Sequence, residues 1–332
     1  MGKLLSISIA TYNSALVINE CLDSIVKSKY IDLIEVLVID DGSKDNTRDI
    51  VQTYVKKYPK SVFLVKKDNG GYGSTVNTSI QIATGKYFKT VEGDDWVNTK
   101  GLDRLIEKLD KLDVDIIVNN YEEIVNDKKK YVDINNRNQY NKILNFNEIN
   151  KEQVFRIQSM TVKLDIIKSV KYKISEHRFY VDSEYVFFSI MYANSIVFLK
   201  DIVYQYRLGQ DGQSVSIDNI SIHFKDLMYI IEKLLGIYCE VEDNIQDKSK
   251  KIYLIKNINV LYRDLYHWFM IMKKIDNYEV LKDFDIRMNR LYPNLLNKMN
   301  FGHYRFIRIN HYIFLKIFRC IRNFRKIFSI KG

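Results

Sequence analysis

The chain has 332 residues, of which 46% are hydrophobic and 28% charged, a composition typical of globular proteins. Its two prolines and three widely spaced cysteines exclude a proline-rich linker architecture and give no disulfide or zinc framework. Of the net charge of +10, eight units lie in residues 301–332, which leaves +2 for the first 300 residues. We expect no signal peptide and no membrane span, because no apolar run reaches roughly 20 residues.

Strand and helix patterns alternate over the first hundred residues. Short apolar runs predict strands at residues 4–10, 34–39, 62–65 and 87–91. Apolar residues at helical spacing predict helices at 18–26, 47–58 and 74–83. Asn13 or Ser14 is the expected cap of the first helix. This alternation predicts an α/β fold with a mainly parallel sheet flanked by helices, whose ligands bind beyond the carboxyl ends of the strands.

The pattern changes after residue 115. A further strand is predicted at 116–119, followed by a charged, asparagine-rich excursion at 126–138. From Ile222 onward, apolar residues recur at helical spacing over long stretches. We therefore expect three parts, namely an α/β domain, a helical C-terminal region and a basic amphipathic tail, at 1–215, 216–300 and 301–332.

Three carboxylates follow the predicted fourth strand, in the sequence Glu-Gly-Asp-Asp-Trp at 92–96. Like charges this close repel, so a compensating partner is expected. A divalent cation that also binds phosphate fits this position, because Mg²⁺ and Mn²⁺ prefer carboxylate and phosphate oxygens. The alternative is a solvated acidic turn that caps the next helix.

Two other strand ends are polar. The sequence Asp-Asp-Gly-Ser at 40–43 offers carboxylates to the N–H groups of a base or to ribose hydroxyls. Taken alone, the segment is better explained by a turn with a helix cap. The sequence Asn-Gly-Gly-Tyr-Gly-Ser at 69–74 is a glycine-rich loop before a helix. Such a loop allows backbone to approach a phosphate, but alone it is a weak indication.

Taken in order, these segments resemble the family 2 glycosyltransferases. The resemblance rests on Thr-Tyr-Asn at 11–13, Asp-Asp-Gly-Ser at 40–43, Asn-Gly-Gly at 69–71, Ala-Thr-Gly-Lys at 83–86 and Gly-Asp-Asp-Trp at 93–96. It is strong over residues 3–115 and moderate over 150–215. The resemblance implies a Rossmann-like GT-A fold, a nucleotide-sugar donor, a divalent metal and inversion at the anomeric carbon.

The resemblance also implies a donor site and a metal site. Its donor-binding residues would be Thr11, Tyr12, Asn13, Asp40, Asp41, Asn69, Gly71, Glu92, Gly93 and Asp94. Tyr12 would stack on the base and Asp41 would accept from it. The family's Asp-x-Asp motif falls on 92–94, where Glu92 replaces the first aspartate. Asp94 and Asp95 would bind Mg²⁺ or Mn²⁺.

Inverting transfer also requires a general base beside the acceptor hydroxyl. The family supplies it from an acidic pair after an aromatic stretch, which matches Phe-Tyr-Val-Asp-Ser-Glu at 179–184. Asp182 aligns best with this base and Glu184 second, because Ser183 splits the pair. The alternative is that both acids cap the following helix.

The segment at 204–215 resembles one that closes over the donor diphosphate in relatives. Arg207 would pair with phosphate, and Gln213 and Ser214 would donate hydrogen bonds. A surface turn explains each of these residues equally well.

The tail at 301–332 interleaves its eight basic residues with large apolar ones. Those at 314, 317, 318, 321, 324 and 328 share one helical face, as in an amphipathic helix at a membrane interface. We therefore predict docking on an anionic membrane surface, with a helix packed on the body as the alternative. Nucleic acid is not expected, because the body has no nucleic-acid module.

The combined prediction is a cytoplasmic, peripheral enzyme at the inner face of the cell membrane. It would be an inverting glycosyltransferase that moves a sugar from a UDP-sugar to a polysaccharide or lipid-linked acceptor. Two other classes stay open. Glu92 and the split acidic pair leave room for a non-catalytic nucleotide-sugar-binding or scaffold protein. A nucleotidyltransferase would need a glycine-rich basic loop where Thr-Tyr-Asn-Ser stands at 11–14. Neither the sugar, the acceptor nor the oligomeric state is specified by these patterns.

Overall fold

The computed structural model describes residues 2–134, 139–150, 153–209, 216–272 and 278–299. The chain divides into two compact units. One comprises Met1–Gln210 with Asp247–Lys250, and the other comprises Asp211–Gln246 with Lys251–Gly332. The predicted tail at 301–332 and the predicted donor-binding residues Gln213 and Ser214 lie outside the described residues.

The first unit is built on one large sheet of ten strands within the described residues. The strands are β1 (Leu5–Thr11), β2 (Ile34–Asp40), β3 (Val62–Lys66), β4 (Tyr87–Glu92), β5 (Trp96–Val97), β6 (Ile116–Val125), β7 (Lys128–Val132), β8 (Ile143–Asn145), β9 (Met160–Lys163) and β10 (Ser195–Leu208). Their spatial order is β3-β2-β1-β4-β9-β6-β10-β5, with β7 beside β6 and β8 beside β10.

The first four strands are parallel, as the alternation of strands and helices predicts. The short strand β9 is antiparallel to both β4 and β6, and β5 and β8 are antiparallel to β10. Strands β6 and β10 are again parallel. The predicted α/β fold is confirmed, and its sheet is mixed beyond β4 because β9 joins two parallel groups.

Helices cover the sheet of the first unit with apolar faces. They are α1 (Ile18–Val26), α2 (Thr47–Lys57), α3 (Gly71–Ile82), α4 (Thr99–Leu109), α5 (Leu164–Lys168) and α6 (Asp182–Tyr192). In α4, Leu102, Leu105 and Leu109 are fully buried at the spacing of one helical face. Burying a leucine side chain contributes about 1.5–3 kcal/mol, so such faces hold the strand ends in place.

The start of α1 differs from the sequence expectation. Neither Asn13 nor Ser14 caps the helix, which begins at Ile18 without a side-chain cap. Asn13 instead adopts a φ of 51°, and its side-chain oxygen accepts from the Lys44 N–H at 2.8 Å. The Asn13 side chain therefore links the loop that follows β1 to the loop that follows β2.

The excursion predicted at 126–138 begins as a β-hairpin. Asn126 and Asp127, with φ of 47° and 61°, form the turn between β6 and β7. Asparagine and aspartate tolerate this left-handed region better than most residues. The charged composition concealed the hairpin, because the side chains of β7 are mostly exposed.

The second unit is helical in its described part, as predicted. Its helices are α7 (Ile217–Val241), most of α8 (Lys248–Ile271), α9 (Tyr278–Leu291) and α10 (Pro293–Lys298). The rings of Phe224 and Phe269 meet edge to face at 5.2 Å, and those of Tyr262 and Phe284 lie 5.7 Å apart. None of the described helices is long and apolar enough to cross a bilayer.

Candidate active site

The carboxyl ends of β1, β2 and β4 lie side by side, and the structure brings predicted donor-site residues together there. Thr11 is paired with Asp40 across the β1–β2 ladder. The N–H of Asp41 donates to the Thr11 carbonyl at 2.9 Å, and the N–H of Gly93 donates to the Ala10 carbonyl at 3.0 Å. Three segments distant in sequence thus share one edge of the sheet.

Glu92, Asp94 and Asp95 form an acidic cluster whose oxygens all lie within 4.8 Å of one another. Asp95 is buried and accepts from the Tyr204 hydroxyl at 2.6 Å and from the Arg207 N–H at 2.7 Å. The carboxylates of Glu92 and Asp94 are partly exposed, and Asp94 accepts a hydrogen bond from its own backbone N–H. Of the two predicted metal ligands, Asp94 is available to a cation, whereas Asp95 is anchored by two hydrogen bonds. Glu92 is therefore the second candidate ligand in its place.

Burial and mutual repulsion govern the charges of this cluster. Burial raises the pKa of Glu92 well above its usual range, and the charges of Asp95, Asp94 and Asp182 raise it further. Burial and the charge of Asp94 raise the pKa of Asp95 to about 8. A raised pKa in the folded state means that stability falls as pH rises and these groups ionise. A divalent cation would offset this cost, so the donor set fits Mg²⁺ or Mn²⁺.

Arg207 fixes the turn that carries the cluster. Its Nε donates to the Asp94 carbonyl at 2.9 Å, and its guanidinium pairs with Glu20 and lies 4.6 Å from the ring centroid of Trp96. Its pairing with a donor phosphate stays a prediction.

Asp41 binds the glycine-rich loop. Its carboxylate accepts from the N–H groups of Gly70 at 2.9 Å and Gly71 at 2.8 Å, and from the Lys67 ammonium at 2.8 Å. The loop side chain of Asn69 donates to the Asp41 carbonyl at 3.0 Å. A carboxylate of the protein thus lies at the N-terminus of α3, where the sequence analysis placed a phosphate. A contact from Asp41 to a base stays a prediction.

Two buried oxygens beside Asp41 lack hydrogen-bond partners among the described residues, namely Thr11 Oγ1 and Asp40 Oδ1. The other oxygen of Asp40 accepts from Arg48 and from the Ser43 N–H. Buried polar atoms are normally paired. These two atoms lie at the edge where the nucleoside is predicted, next to the half-exposed ring of Tyr12.

Asp182 lies within electrostatic reach of the acidic cluster. It is the first residue of α6, and its side chain is exposed. Desolvation by the surrounding protein raises its pKa, and the charge of Arg156 partly opposes this shift. Its charge in turn raises the pKa of Glu92 and of Tyr206. The carboxylate is therefore accessible to a substrate and close to the predicted cation site.

Glu184 is placed quite differently. Its side chain is fully buried, and its two oxygens accept from the N–H of Ser175 at 2.6 Å and from the Ser175 hydroxyl at 2.9 Å. An acceptor hydroxyl cannot reach a carboxylate enclosed in this way. Of the two predicted base candidates, the geometry favours Asp182.

Sequence reasoning missed Tyr204 and Lys89. Tyr204 holds Asp95, yet in the sequence it is one of several tyrosines in a strand. Lys89 is fully buried in β4, donates to the Gln158 and Met160 carbonyls, and lies 5.5 Å from the centroid of the Tyr204 ring. Burial lowers its pKa to about 7. The only sequence signal was a lysine inside an apolar strand.

A Rossmann-like sheet with an acidic cluster beyond β4 is typical of glycosyltransferases of the GT-A class. Residues 6–169 match the model of glycosyl transferase family 2. The chain therefore contains a family 2 glycosyltransferase domain and is a glycosyltransferase, as the sequence motifs predict.

Two relatives and one solved structure show the extent of the similarity. Glycosyltransferase GlyG of Streptococcus pneumoniae is 26% identical over 216 residues, which cover 62% of this chain and 71% of GlyG. The minor teichoic acid biosynthesis protein GgaB of Bacillus subtilis is 25% identical over 277 residues, which cover 81% of this chain and only 29% of GgaB. The crystal structure of S. aureus TarS 1–349 in complex with UDP-GlcNAc superposes with a TM-score of 0.69 at 18% identity, covering 96% of this chain and 92% of that one. This likeness confirms the GT-A fold.

Proposed function

We propose that the protein is an inverting, metal-dependent glycosyltransferase. It would transfer a sugar from a UDP-sugar to a hydroxyl of a cell-surface polysaccharide or of a lipid-linked acceptor. The observation that carries the proposal is the cluster of Glu92, Asp94 and Asp95 beyond β4, with the exposed carboxylate of Asp182 at the start of α6 near enough to act on the charge of Glu92. The UDP-GlcNAc complex of TarS supports the donor class, and the teichoic acid role in the name of GgaB supports the acceptor class.

The residues of the site have separate tasks in this reaction. Glu92 and Asp94 would hold Mg²⁺ or Mn²⁺, which supplies positive charge to the leaving diphosphate. Tyr12 would stack on the base. Asp182 would accept the proton of the acceptor hydroxyl as that oxygen attacks the anomeric carbon from the face opposite the diphosphate.

A panel of nucleotide-sugars tests the proposal. With Mn²⁺ and crude lipid-linked acceptor, we expect UDP release from one UDP-sugar and much less nucleotide release from GDP-sugars, because the base pocket is predicted for uracil. EDTA should stop the release. Binding of a UDP-sugar without turnover, with acceptor present, would support the non-catalytic alternative instead.

We also propose that residues 301–332 bring the enzyme to an anionic membrane surface. Full-length protein should bind vesicles that contain anionic lipid, and deletion of 301–332 should release it, because each basic residue near such a surface contributes about 1 kcal/mol. Vesicle co-sedimentation measures this, with neutral vesicles as the control. Salt should weaken binding without abolishing it if the apolar face inserts. Equal binding of both proteins would refute the membrane role.

A further inference from the structure

Residues 174–178, here called the strap, cross the N-terminal turn of α3. Asn77 of α3 binds both backbone groups of Ile174: its Nδ2 donates to the carbonyl at 2.9 Å, and its Oδ1 accepts from the N–H at 3.2 Å. At the other end, the N–H of His177 donates to the Gly70 carbonyl at 2.6 Å. The strap is therefore bound to the glycine-rich loop and its helix at two places.

Two glycines allow this close approach. A Cβ atom on Gly73 would lie only 1.9 Å from the carbonyl oxygen of Ser175. Gly71 has a φ of +78°, and a Cβ atom there would lie 3.4 Å from the His177 nitrogen. The strap thus accounts for glycines that the sequence analysis assigned to phosphate binding.

The strap is also bound to α6, through Glu184. The two hydrogen bonds from Ser175 to Glu184 close a loop of the chain that contains Asp182. Within this loop His177 and Tyr180 have φ of 54° and 65°, values that cost free energy for residues with a side chain. A loop with two such residues needs a fixed attachment at its base to keep one conformation.

We infer that Glu184 is a positioning residue that holds Asp182 in its reactive place through Ser175. This inference rests on the proposed function, in which Asp182 is the base. The attachment continues beyond Ser175, because the strap binds Gly70, and Gly70 and Gly71 bind Asp41. The base loop and the donor side of the site are therefore connected by one network of hydrogen bonds.

Glu184→Gln tests this inference with little change in size. The glutamine oxygen can still accept one hydrogen bond from Ser175. Its NH₂ group cannot accept the second one, because it is itself a donor. We expect kcat to fall about 10–100-fold, as for a displaced catalytic group, with the donor KM and the UDP Kd within about twofold of wild type. Ser175→Ala should lower kcat less, and the double variant should be no worse than Glu184→Gln alone.

Glu176→Gln is the matched control, because Glu176 is an exposed strap carboxylate and the glutamine oxygen can keep its one hydrogen bond, from the Asn77 amide at 3.1 Å. Its kcat should stay within about twofold of wild type. A Glu184→Gln enzyme with unchanged kcat, or with UDP affinity reduced as much as kcat, would overturn the inference. If Glu184→Gln does not fold, Ser175→Ala tests the inference instead: its kcat should fall while its donor KM stays unchanged.

Hydrogen exchange separates this inference from the proposed function. In Glu184→Gln, the amides of Ser175 and His177 should exchange faster than in wild type, whatever the activity. Unchanged exchange would refute the role of Glu184. Wild-type protein that releases UDP from no donor would refute the proposed function alone.

Discussion

Replacing Asp182 with asparagine is expected to lower kcat by about 10²–10⁴-fold, the contribution typical of a positioned general base. Asparagine keeps the size and polarity of the side chain but cannot accept the proton of the acceptor hydroxyl. UDP affinity should stay within about twofold of wild type. Steady-state UDP release measures kcat, and calorimetric titration with UDP and Mn²⁺ measures the affinity.

Two further readouts check this assignment. Glu184→Gln should retain more activity than Asp182→Asn, and the reverse order would move the base to Glu184. Desolvation by the surrounding protein raises the pKa of Asp182, so the loss of kcat/KM on acidification should begin at a higher pH than for an ordinary aspartate. The base must be unprotonated, so activity is lost on the acid side. A pH profile that is flat there would contradict the role.

Asp94→Ala is expected to abolish the Mn²⁺ dependence of UDP binding. Asp94 is one of two cluster carboxylates available to a cation, so the loss should exceed the roughly 10–100-fold effect of an outer-shell residue. The fold should survive, because removing one of three repelling acids relieves a cost that burial imposes. Titration of UDP with and without Mn²⁺ provides the affinities.

Thermal unfolding supplies the control for this variant. Mn²⁺ with UDP should raise the Tm of wild-type protein and of Asp110→Ala, which removes an exposed acid at the end of α4. The Tm of Asp94→Ala should not respond. An Asp94→Ala protein that binds UDP as tightly as wild type, and still only with Mn²⁺, would remove Asp94 from the metal site.

Local sequence patterns predict β1 to β4 and the first part of β6, because buried strands rich in isoleucine, leucine and valine stand out from the polar turns around them. The acidic cluster was equally visible, since its members are neighbours in the chain. The roles of Gly73 and Glu184 were not visible. Their partner, Ser175, lies about 100 residues from Gly73, and no periodicity encodes such a contact.

The same limit applies to turns and single buried polar groups. The hairpin at Asn126 depends on two left-handed residues, and turn geometry is not specified by hydrophobic spacing. Lys89 is a lysine whose ammonium has backbone carbonyls as partners, so its burial depends on chain segments far from β4. Sequence patterns therefore predict the residues of a candidate site but not the contacts that shape it.

The carboxylate of Asp41 has a consequence for how nucleotide and cation would arrive. The N-terminus of α3 and the ammonium of Lys67 are groups of the kind that hold phosphate without any metal. Here both are neutralised from within the protein. Under the proposed function, the diphosphate would find its counter-charge mainly at the cation, so free nucleotide would bind weakly and donor and cation would enter together. Occupancy of the enzyme would then follow the supply of divalent cation in the cell as closely as the supply of sugar.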